Sequence, residues 1–234
     1  MNPQFACFVT GTDTGVGKTL VSAAFVHALA RSGLKAVGMK PIAAGSVDID
    51  GRLANEDVDT LAAEASIALP VQMTSPYILR EACAPHVAAA LEGVSIEKSV
   101  LFDAYRQTAE RAEAVVVEGV GGFRVPLADG FDTADLVAGL ALDVILVVGL
   151  RLGCLNHALL SAEAIAARGL KLAGWVANQV DPAMPHQQAN VAALQAGLPA
   201  PLVGVVPWMD TPSAAVAAEH IAFDLLPSWP KPRG

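Results

Sequence analysis

The distribution of apolar residues along the chain predicts six buried β-strands that alternate with helices. The apolar runs are short, rich in Val, Ile and Leu, and mostly lack polar alternation, which indicates strands covered on both faces. They span residues 5–10, 36–39, 115–117, 144–148, 172–176 and 202–206. Stretches of helical length and pattern lie near 18–32, 57–66, 95–112, 133–141, 155–168 and 187–196. This order predicts an α/β fold with a mostly parallel central sheet and helices on both faces.

Glycine and proline residues mark the expected ends of these elements. Gly33, Gly169 and Gly197 stand where helix C-caps are expected. Residues 227–234 contain repeated prolines, which exclude regular structure. We therefore predict a single domain at 1–226, followed by a tail that is either loose or strapped on the surface.

Composition and charge limit the class of protein. Hydrophobic residues make up 53% of the 234 residues and aromatic residues only 5%, which suits a large aliphatic core. The net charge of −8 provides no basic field for nucleic acid or an anionic membrane. The most apolar window, 136–155, includes Asp143 and Arg151, which favours a buried strand over a membrane span. Without a signal-peptide pattern or metal-type cysteine spacing, we predict reduced thiols in a cytoplasmic protein.

A glycine-rich turn after the first predicted strand carries the clearest functional motif. Residues 11–19 read G-T-D-T-G-V-G-K-T, the pattern of a phosphate-binding loop except for Thr12, where a glycine is usual. Loop N–H groups and the helix N-terminus bind phosphates, Lys18 contacts the β- and γ-phosphates, and the Thr19 hydroxyl holds Mg²⁺. The alternative is an ordinary glycine turn, which the strand–loop–helix context disfavours. We therefore predict binding of ATP or GTP.

Polar residues at the ends of other strands extend this predicted site. Lys40 leaves the second strand, where it either neutralises charge on a transferring phosphoryl group or reaches the surface. Glu118 ends the third strand, the usual position of a second Mg²⁺ ligand. Asp57 begins a helix, so it either completes the metal site or only stabilises the helix terminus. We predict that Thr19, Asp57 and Glu118 hold Mg²⁺.

The later strands are followed by further polar segments. The glycine turn at 149–157 offers N–H groups to an anion, and either Asn178 or the pair Pro207-Trp208 could line a base pocket. Periodicity alone favours a core position for Trp208. Cys154 and His157 are three residues apart, but no third group that would orient a nucleophile is recognisable nearby.

Six segments, in order along the chain, resemble the dethiobiotin synthetases, and the resemblance extends from residue 5 to about 209. They are G-T-D-T-G-V-G-K-T (11–19), K-P-I-A-A-G (40–45), E-G-V-G-G (118–122), V-V-G-L-R-L-G-C-L-N-H-A (147–158), L-A-G-W-V-A-N (172–178) and V-P-W (206–208). This resemblance implies an enzyme of biotin synthesis that uses ATP and CO₂ to close a cyclic urea on 7,8-diaminopelargonate. The implied route runs through a carbamate and a carbamic-phosphoric anhydride.

The resemblance also implies roles for individual residues. Lys40, Lys18 and Thr14 would be catalytic, with Thr14 near the carbamate. Nucleotide contacts would come from Gly15, Val16, Gly17, Lys18, Thr19, Leu20, Asp57, Glu118, Gly119, Val120, Gly121, Asn178, Gln179, Pro207, Trp208 and Met209. Ala44 would contact the substrate. The turn from Gly153 to Asn156 would meet the substrate carboxylate across a homodimer interface.

Two positions depart from the pattern of this family. Ala44 stands where Ser or Thr is common, and it offers no hydroxyl to the substrate. Gln179 stands where Asp is expected beside the base pocket, which leaves the nucleotide preference open.

Two other classes of protein carry a related loop. Amide ligases of the corrinoid amidase type append a glutaminase domain, for which the 234 residues leave no room. Partitioning ATPases typically have a lysine five residues before the invariant lysine, where this chain has Asp13. Both classes are therefore less favoured than a dethiobiotin synthetase.

Overall fold

The computed structural model describes residues 3–231, and its centre is a parallel sheet of six strands. The strands of the chain are β1 (Phe5–Gly11), β2 (Ala36–Met39), β3 (Ile42–Ala44), β4 (Val47–Ile49), β5 (Arg52–Ala54), β6 (Tyr77–Leu79), β7 (Ala114–Glu118), β8 (Pro126–Ala128), β9 (Phe131–Asp132), β10 (Asp143–Gly149), β11 (Leu172–Asn178) and β12 (Leu202–Val206). The central sheet has the order β12-β11-β10-β1-β7-β2, with every pairing parallel. All six predicted strands are confirmed.

Helices flank this sheet and include all six that the sequence pattern predicts. They are α1 (Lys18–Arg31), α2 (Glu56–Glu64), α3 (Val71–Thr74), α4 (Pro85–Leu91), α5 (Lys98–Ala109), α6 (Thr133–Leu140), α7 (Cys154–Ala167), α8 (Gln187–Gly197), α9 (Ala214–Glu219) and the 3₁₀ helix Phe223–Leu225. The short helices α3, α4 and α9 were not expected from the sequence. Within residues 3–231, no helix combines the length and apolarity that crossing a membrane requires.

Alternate residues of the central strands pack on opposite faces of the sheet. On β1, Cys7 and Val9 join a core cluster with Val21 and Phe25 of α1. Phe8 joins the cluster on the other face, which includes Leu101 of α5. This alternation follows from the strand period of two, and it confirms that helices cover both faces of the sheet.

Two of the three predicted glycine caps are confirmed and one is wrong. Gly33 and Gly169 follow the C-caps of α1 and α7 with φ of 85° and 68°, in the left-handed region. Gly197 is instead the last residue of α8, and the extended residue Leu198 is the C-cap. Leu198 precedes Pro199, and a residue before proline avoids helical backbone angles, so the proline ends this helix.

The C-terminal segment lies against the domain up to residue 231. The ring of Trp229 stacks on Phe223 at 4.4 Å between centroids and meets Phe5 and Phe25 edge-on. Of the two predicted alternatives, the described part of the tail is therefore strapped on the surface. Residues 232–234 lie outside the described residues, and the division into a domain at 1–226 and a tail stays a prediction.

Three short pairs of strands complete the fold, namely β3–β6, β4–β5 and β8–β9. In the hairpin β4–β5, Asp50 and Gly51 both have positive φ, as a two-residue hairpin turn requires. β3 pairs in parallel with β6, which brings Ala44 opposite Leu79. The antiparallel pair β8–β9 precedes α6. Asp57 at the start of α2 and residues 82–85 after β6 line the same cavity as Glu118 at the end of β7.

Candidate active site

The phosphate-binding loop joins the end of β1 to the first residue of α1, as the motif predicts. Gly17 has φ of 81°, and a Cβ there would lie 2.0 Å from Nδ2 of Asn178, so only glycine fits. The first turn of α1 contains no acidic residue. Its N–H groups are therefore oriented toward an anion without a competing carboxylate.

Lys18 lies buried at this loop, with 7% of its surface exposed. Its Nζ donates to the backbone carbonyl of Asp13 at 3.0 Å. Burial, followed by the nearby charge of Lys40, lowers the pKa of Lys18 to about 8. A phosphate beside this ammonium would favour its charged form.

A buried ion cluster lies at the ends of β2 and β7. Nζ of Lys40, 4% exposed, is 2.6 Å from Oε1 of Glu118 and 2.8 Å from Oδ2 of Asp57. It also donates to the carbonyl of Gly119 at 3.0 Å. Burial alone would lower the pKa of Lys40, but the two carboxylates outweigh it and raise this pKa. The lysine is therefore a buried positive charge near neutral pH, not a surface lysine.

Three oxygen-bearing side chains converge beside this lysine. Oγ1 of Thr19 lies 2.7 Å from Oδ1 of Asp57 and 2.9 Å from Oε1 of Glu118. Burial would raise the pKa of Asp57, but Lys40 and the Thr19 hydroxyl lower it. Oε2 of Glu118 is buried without a hydrogen-bond partner.

This donor set fits Mg²⁺ rather than a transition metal. Two carboxylates and a hydroxyl are hard oxygen ligands, and Mg²⁺ commonly takes few protein ligands and completes its shell with phosphates and water. The orphaned Oε2 of Glu118 offers an acceptor that a cation would satisfy. Over residues 3–231 no cluster of three or more His, Cys, Asp or Glu side chains could hold a metal by itself.

These groups open into one cavity of about 820 Å³, a typical size for a ligand site. The cavity brings together many of the residues that the sequence predicts: Thr14, Gly15, Gly17, Lys18, Thr19, Lys40, Ala44, Asp57, Glu118, Val120 and Gly121. It is also lined by residues that sequence reasoning missed: Asp13, Ala82, Cys83, Ala84, Pro85, Gly122 and Val125. The Ala82–Pro85 wall has no signal in the sequence, because it reaches the cavity only through the short β3–β6 pairing.

Ala44 lies on the cavity wall, and its strand β3 contains no residue with a hydroxyl group. The nearby Ser46 donates its hydroxyl to the carbonyl of Leu79 at 3.0 Å, so it does not replace the missing group. Asn55 fixes this wall to α2. Its Oδ1 accepts from the N–H of Asp57 at 3.1 Å, and its Nδ2 donates to the carbonyl of Gly45 at 3.3 Å. Sequence reasoning missed Asn55, although an Asn before an acidic helix start is a cap signal.

A second group of predicted residues lies on the other side of the loop, at the ends of β11 and β12. Nδ2 of Asn178 donates to the carbonyl of Val16 at 3.0 Å. Oε1 of Gln179 accepts from the N–H of Trp208 at 3.1 Å. The core position expected for Trp208 is wrong, since 48% of it is exposed. β12 ends at Val206, so strand periodicity does not extend to Trp208.

The remaining predicted residues lie outside the cavity. Leu20 and Met209 pack against the α1 side of the core, and Pro207 is half-buried. Gly153 and Asn156 are exposed at the start of α7. The three cysteines are free, and Cys154 is buried.

The parallel sheet, the glycine loop and the lysine–carboxylate cluster define a P-loop NTPase-like protein. A protein-family model with the description "AAA domain" matches residues 6–215 of the chain. Two curated relatives are named ATP-dependent dethiobiotin synthetase BioD. The protein of Janthinobacterium sp. (strain Marseille) is 58% identical over 99% of this chain and 100% of its own length. The protein of Ralstonia nicotianae is 52% identical over 97% of this chain and 98% of its own length. The chain belongs to the ATP-dependent dethiobiotin synthetase family.

Solved structures with lower identity share the fold alone. A ParA family ATPase from Chlorobium tepidum is similar with a TM-score of 0.52 at 13% identity, over 94% of this chain and 91% of that chain. The signal recognition particle receptor FtsY from Elizabethkingia anophelis, in complex with GDP, gives a TM-score of 0.52 at 16% identity. That match covers 92% of this chain, which spans 59% of the FtsY chain.

Proposed function

We propose that this protein is an ATP-dependent dethiobiotin synthetase that closes a cyclic urea on 7,8-diaminopelargonate with CO₂. The observation that carries the proposal is the meeting of Lys18, Lys40, Asp57 and Glu118 in one cavity of about 820 Å³ at the phosphate-binding loop. The relatives that bear this enzyme name match nearly the whole chain. ATP is a co-substrate in this reaction.

The reaction consists of three bond-forming steps. One amine of the diamine adds to CO₂ and loses a proton, which gives a carbamate. A carbamate oxygen then attacks the γ-phosphorus of ATP, and ADP leaves, so that a carbamic-phosphoric anhydride forms. The second amine attacks the anhydride carbonyl, loses a proton and expels phosphate as the ring closes. The substrate supplies both nucleophiles, so the protein contributes positioning and electrostatic stabilisation.

Lys18 and Lys40 act on the charge that develops in the second step. Glu118 and Asp57 raise the pKa of Lys40, so the lysine is charged near neutral pH and offers this charge to carbamate and phosphoryl oxygens. Lys18 contacts the β- and γ-phosphates from the loop, and Thr14 at the cavity rim contacts the carbamate.

Thr19, Asp57 and Glu118 would hold Mg²⁺ in this site. When bound, Mg²⁺ neutralises negative charge on the β- and γ-phosphates. Both carboxylates also pair with Lys40. The Thr19 hydroxyl lies 2.7 Å from Asp57 and 2.9 Å from Glu118, and it can donate its single proton to one of them at a time.

Asn178 and Gln179, with residues 207–209, form the side of the loop toward the adenosine. The triphosphate and metal ligands lie at β7 and β2, so the base is directed to the ends of β11 and β12. The amides of Asn178 and Gln179 each carry a donor and an acceptor that suit the edge of a purine base.

The substrate carboxylate would meet the start of α7 in a homodimer. Gly153 is the N-cap of α7 with φ of 95°, and the first turn holds no acidic residue, so its N–H groups suit an anion. Leu152 beside it is 96% exposed, and Leu159 and Leu160 of α7 are also exposed. Such apolar exposure is expected of a surface that a second copy covers. We also propose a cytoplasmic location, without nucleic-acid or membrane partners.

Incorporation of labelled carbon tests this function. The protein is incubated with ¹⁴C-bicarbonate, Mg²⁺, 7,8-diaminopelargonate and ATP, with GTP in a parallel reaction. We expect a labelled ring product that requires the diamine, with equal amounts of ADP and phosphate, and a faster reaction with ATP. Absence of labelled ring product would refute the proposed function.

A further inference from the structure

Asp13 brings a negative charge into a loop that is proposed to bind a triphosphate. Its carboxylate is 47% exposed and belongs to the lining of the cavity, one residue before Thr14. A like charge within a few ångströms of a phosphate is unfavourable unless a cation offsets it. The loop therefore needs a partner for Asp13.

Arg151 supplies that partner from a distant part of the chain. Its guanidinium donates to Oδ2 of Asp13, across 138 positions in sequence. Arg151 lies in the turn between β10 and α7, and the end of β10 is packed on the loop. A Cβ on Gly149 would lie 2.8 Å from Cγ1 of Val16. The side chain of Val16 thus packs closely on the backbone at Gly149, and this contact joins the loop to the end of β10 in addition to the ion pair.

The loop uses Asp13 as a hydrogen-bonding group. Oδ1 accepts from the N–H of Thr14 at 2.8 Å, and the carbonyl of Asp13 accepts from Nζ of Lys18 at 3.0 Å. An asparagine could supply the same acceptors. The negative charge of Asp13 is therefore not required for the shape of the loop. How strongly this charge weakens the binding of a phosphate depends on whether Arg151 neutralises it.

We propose that Arg151 is a positioning residue that neutralises Asp13 and keeps the phosphate-binding loop attractive to a triphosphate. The inference rests on the proposed function, because it assumes that ATP binds at this loop. Arg151 is outside the lining of the cavity, so it acts on the ligand through Asp13. Through the same pair it links the phosphate loop to the turn that precedes α7.

A double-mutant cycle with ATP as the probe tests this role. We expect Arg151→Gln to raise the Kd for ATP by about tenfold at low salt, the size of one unscreened charge at short range. Asp13→Asn alone leaves the positive charge of Arg151 uncompensated beside the loop, so it should bind ATP with a Kd equal to or lower than that of the wild type. The double variant should return to within about threefold of the wild type, since it has neither charge. Calorimetry measures each Kd, and thermal unfolding reports on folding.

Ionic strength and a remote ion pair provide the controls. The loss of ATP affinity in Arg151→Gln should become smaller as the salt concentration approaches 1 M, where the screening length falls to about 3 Å. Arg106→Gln removes an equal charge from the exposed pair with Asp103 on α5, 2.8 Å apart, and should leave ATP binding unchanged. The inference would be overturned if the effects of the two substitutions on the free energy of ATP binding simply added in the double variant. An unchanged Kd for ATP in Arg151→Gln would also overturn it. A wild-type protein that binds no ATP would instead refute the proposed function.

Discussion

The two sides of the phosphate-binding loop are built from different chemistry. Toward β7 and β2, ionised side chains are buried together, with Lys40 between Asp57 and Glu118. Toward β11 and β12, neutral amides make single hydrogen bonds, such as that from Asn178 to the carbonyl of Val16. A buried charge without its partner costs several kcal/mol, whereas a neutral hydrogen bond contributes about 1 kcal/mol. We therefore expect the cluster around Lys40 to control the rate, whereas Lys18 of the loop and the neutral side contribute mainly to nucleotide affinity.

Lys40→Ala should give the largest effect and tests the charged side. We expect kcat to fall by about 10²–10³, the scale of a lost electrostatic stabiliser, while the Kd for ATP stays largely intact. Steady-state kinetics and calorimetry separate the two quantities. A variant with the turnover of the wild type would remove Lys40 from the proposed mechanism.

The same substitution also tests the burial of the ion cluster. Because Glu118 would lose its only cationic partner within the described residues, the free energy of unfolding should fall by about 3–5 kcal/mol. Chemical denaturation measures this loss, and the kinetic assays are run where the variant is fully folded. An unchanged stability would show that the cluster is solvated rather than buried.

The pH dependence of ATP binding should distinguish Lys18 of the loop from Lys40 of the charged side. The pKa of Lys18 is lowered to about 8, so above this pH the free protein holds a neutral Lys18. ATP favours the charged form, so binding takes up a proton and the Kd should rise by up to about tenfold per pH unit above 8. Lys40, with a raised pKa, stays charged over this range.

Calorimetry from pH 7 to about 9.5, without added Mg²⁺ and in two buffers of different ionisation enthalpy, measures both the Kd and the proton uptake. A Kd that does not change with pH would contradict the assignment of Lys18 to the triphosphate.

Asn178→Ala should have a smaller effect and tests the neutral side. Loss of the amide leaves the carbonyl of Val16 without its donor, so we expect the Kd for ATP to rise by about 5- to 20-fold. The kcat at saturating ATP should stay within about threefold. Asn190→Ala is the matched control, since its Nδ2 makes a similar bond to the carbonyl of His186 on the exposed surface of α8. A large fall in kcat for Asn178→Ala would break the division between the two sides.

Ala44→Ser should give the smallest effect. A hydroxyl restored at the cavity wall offers one neutral hydrogen bond, so the KM for the diamine should stay the same or fall by up to about threefold. The KM for ATP should not change. A strong rise in the diamine KM would show that this wall is built for a different substrate contact.

Most of the charged side could be predicted from the pattern of residues in the sequence. Runs of β-branched residues without polar alternation mark buried parallel strands, and the position of a polar residue directly after such a run implies the carboxyl edge of the sheet. Lys40 and Glu118 were found this way, because an ionised group beside a buried strand needs a partner. The glycine loop before Lys18 has its own local pattern.

The rest depends on contacts that leave no local pattern. The wall at Ala82–Pro85 reaches the cavity through strands of three residues, too short for a periodicity to be recognised. The pairing of Asp13 with Arg151 spans 138 positions and follows only from the adjacency of β1 and β10. The core position predicted for Trp208 was wrong because β12 ends at Val206, two residues before it. The Asp50-Gly51 turn, in contrast, is a hairpin signal that can be read from sequence.

Transfer of oxygen from CO₂ to phosphate is the most direct test of ring closure at this site. The protein is given C¹⁸O₂, unlabelled ATP, Mg²⁺ and 7,8-diaminopelargonate, and the phosphate and ring product are analysed by mass spectrometry before CO₂ exchanges with water. The carbamate oxygen that attacks the γ-phosphorus leaves with the phosphate. We therefore predict one ¹⁸O atom in each phosphate released and the other in the ring carbonyl. Phosphate that carries no oxygen from CO₂ would contradict the carbamic-phosphoric anhydride route.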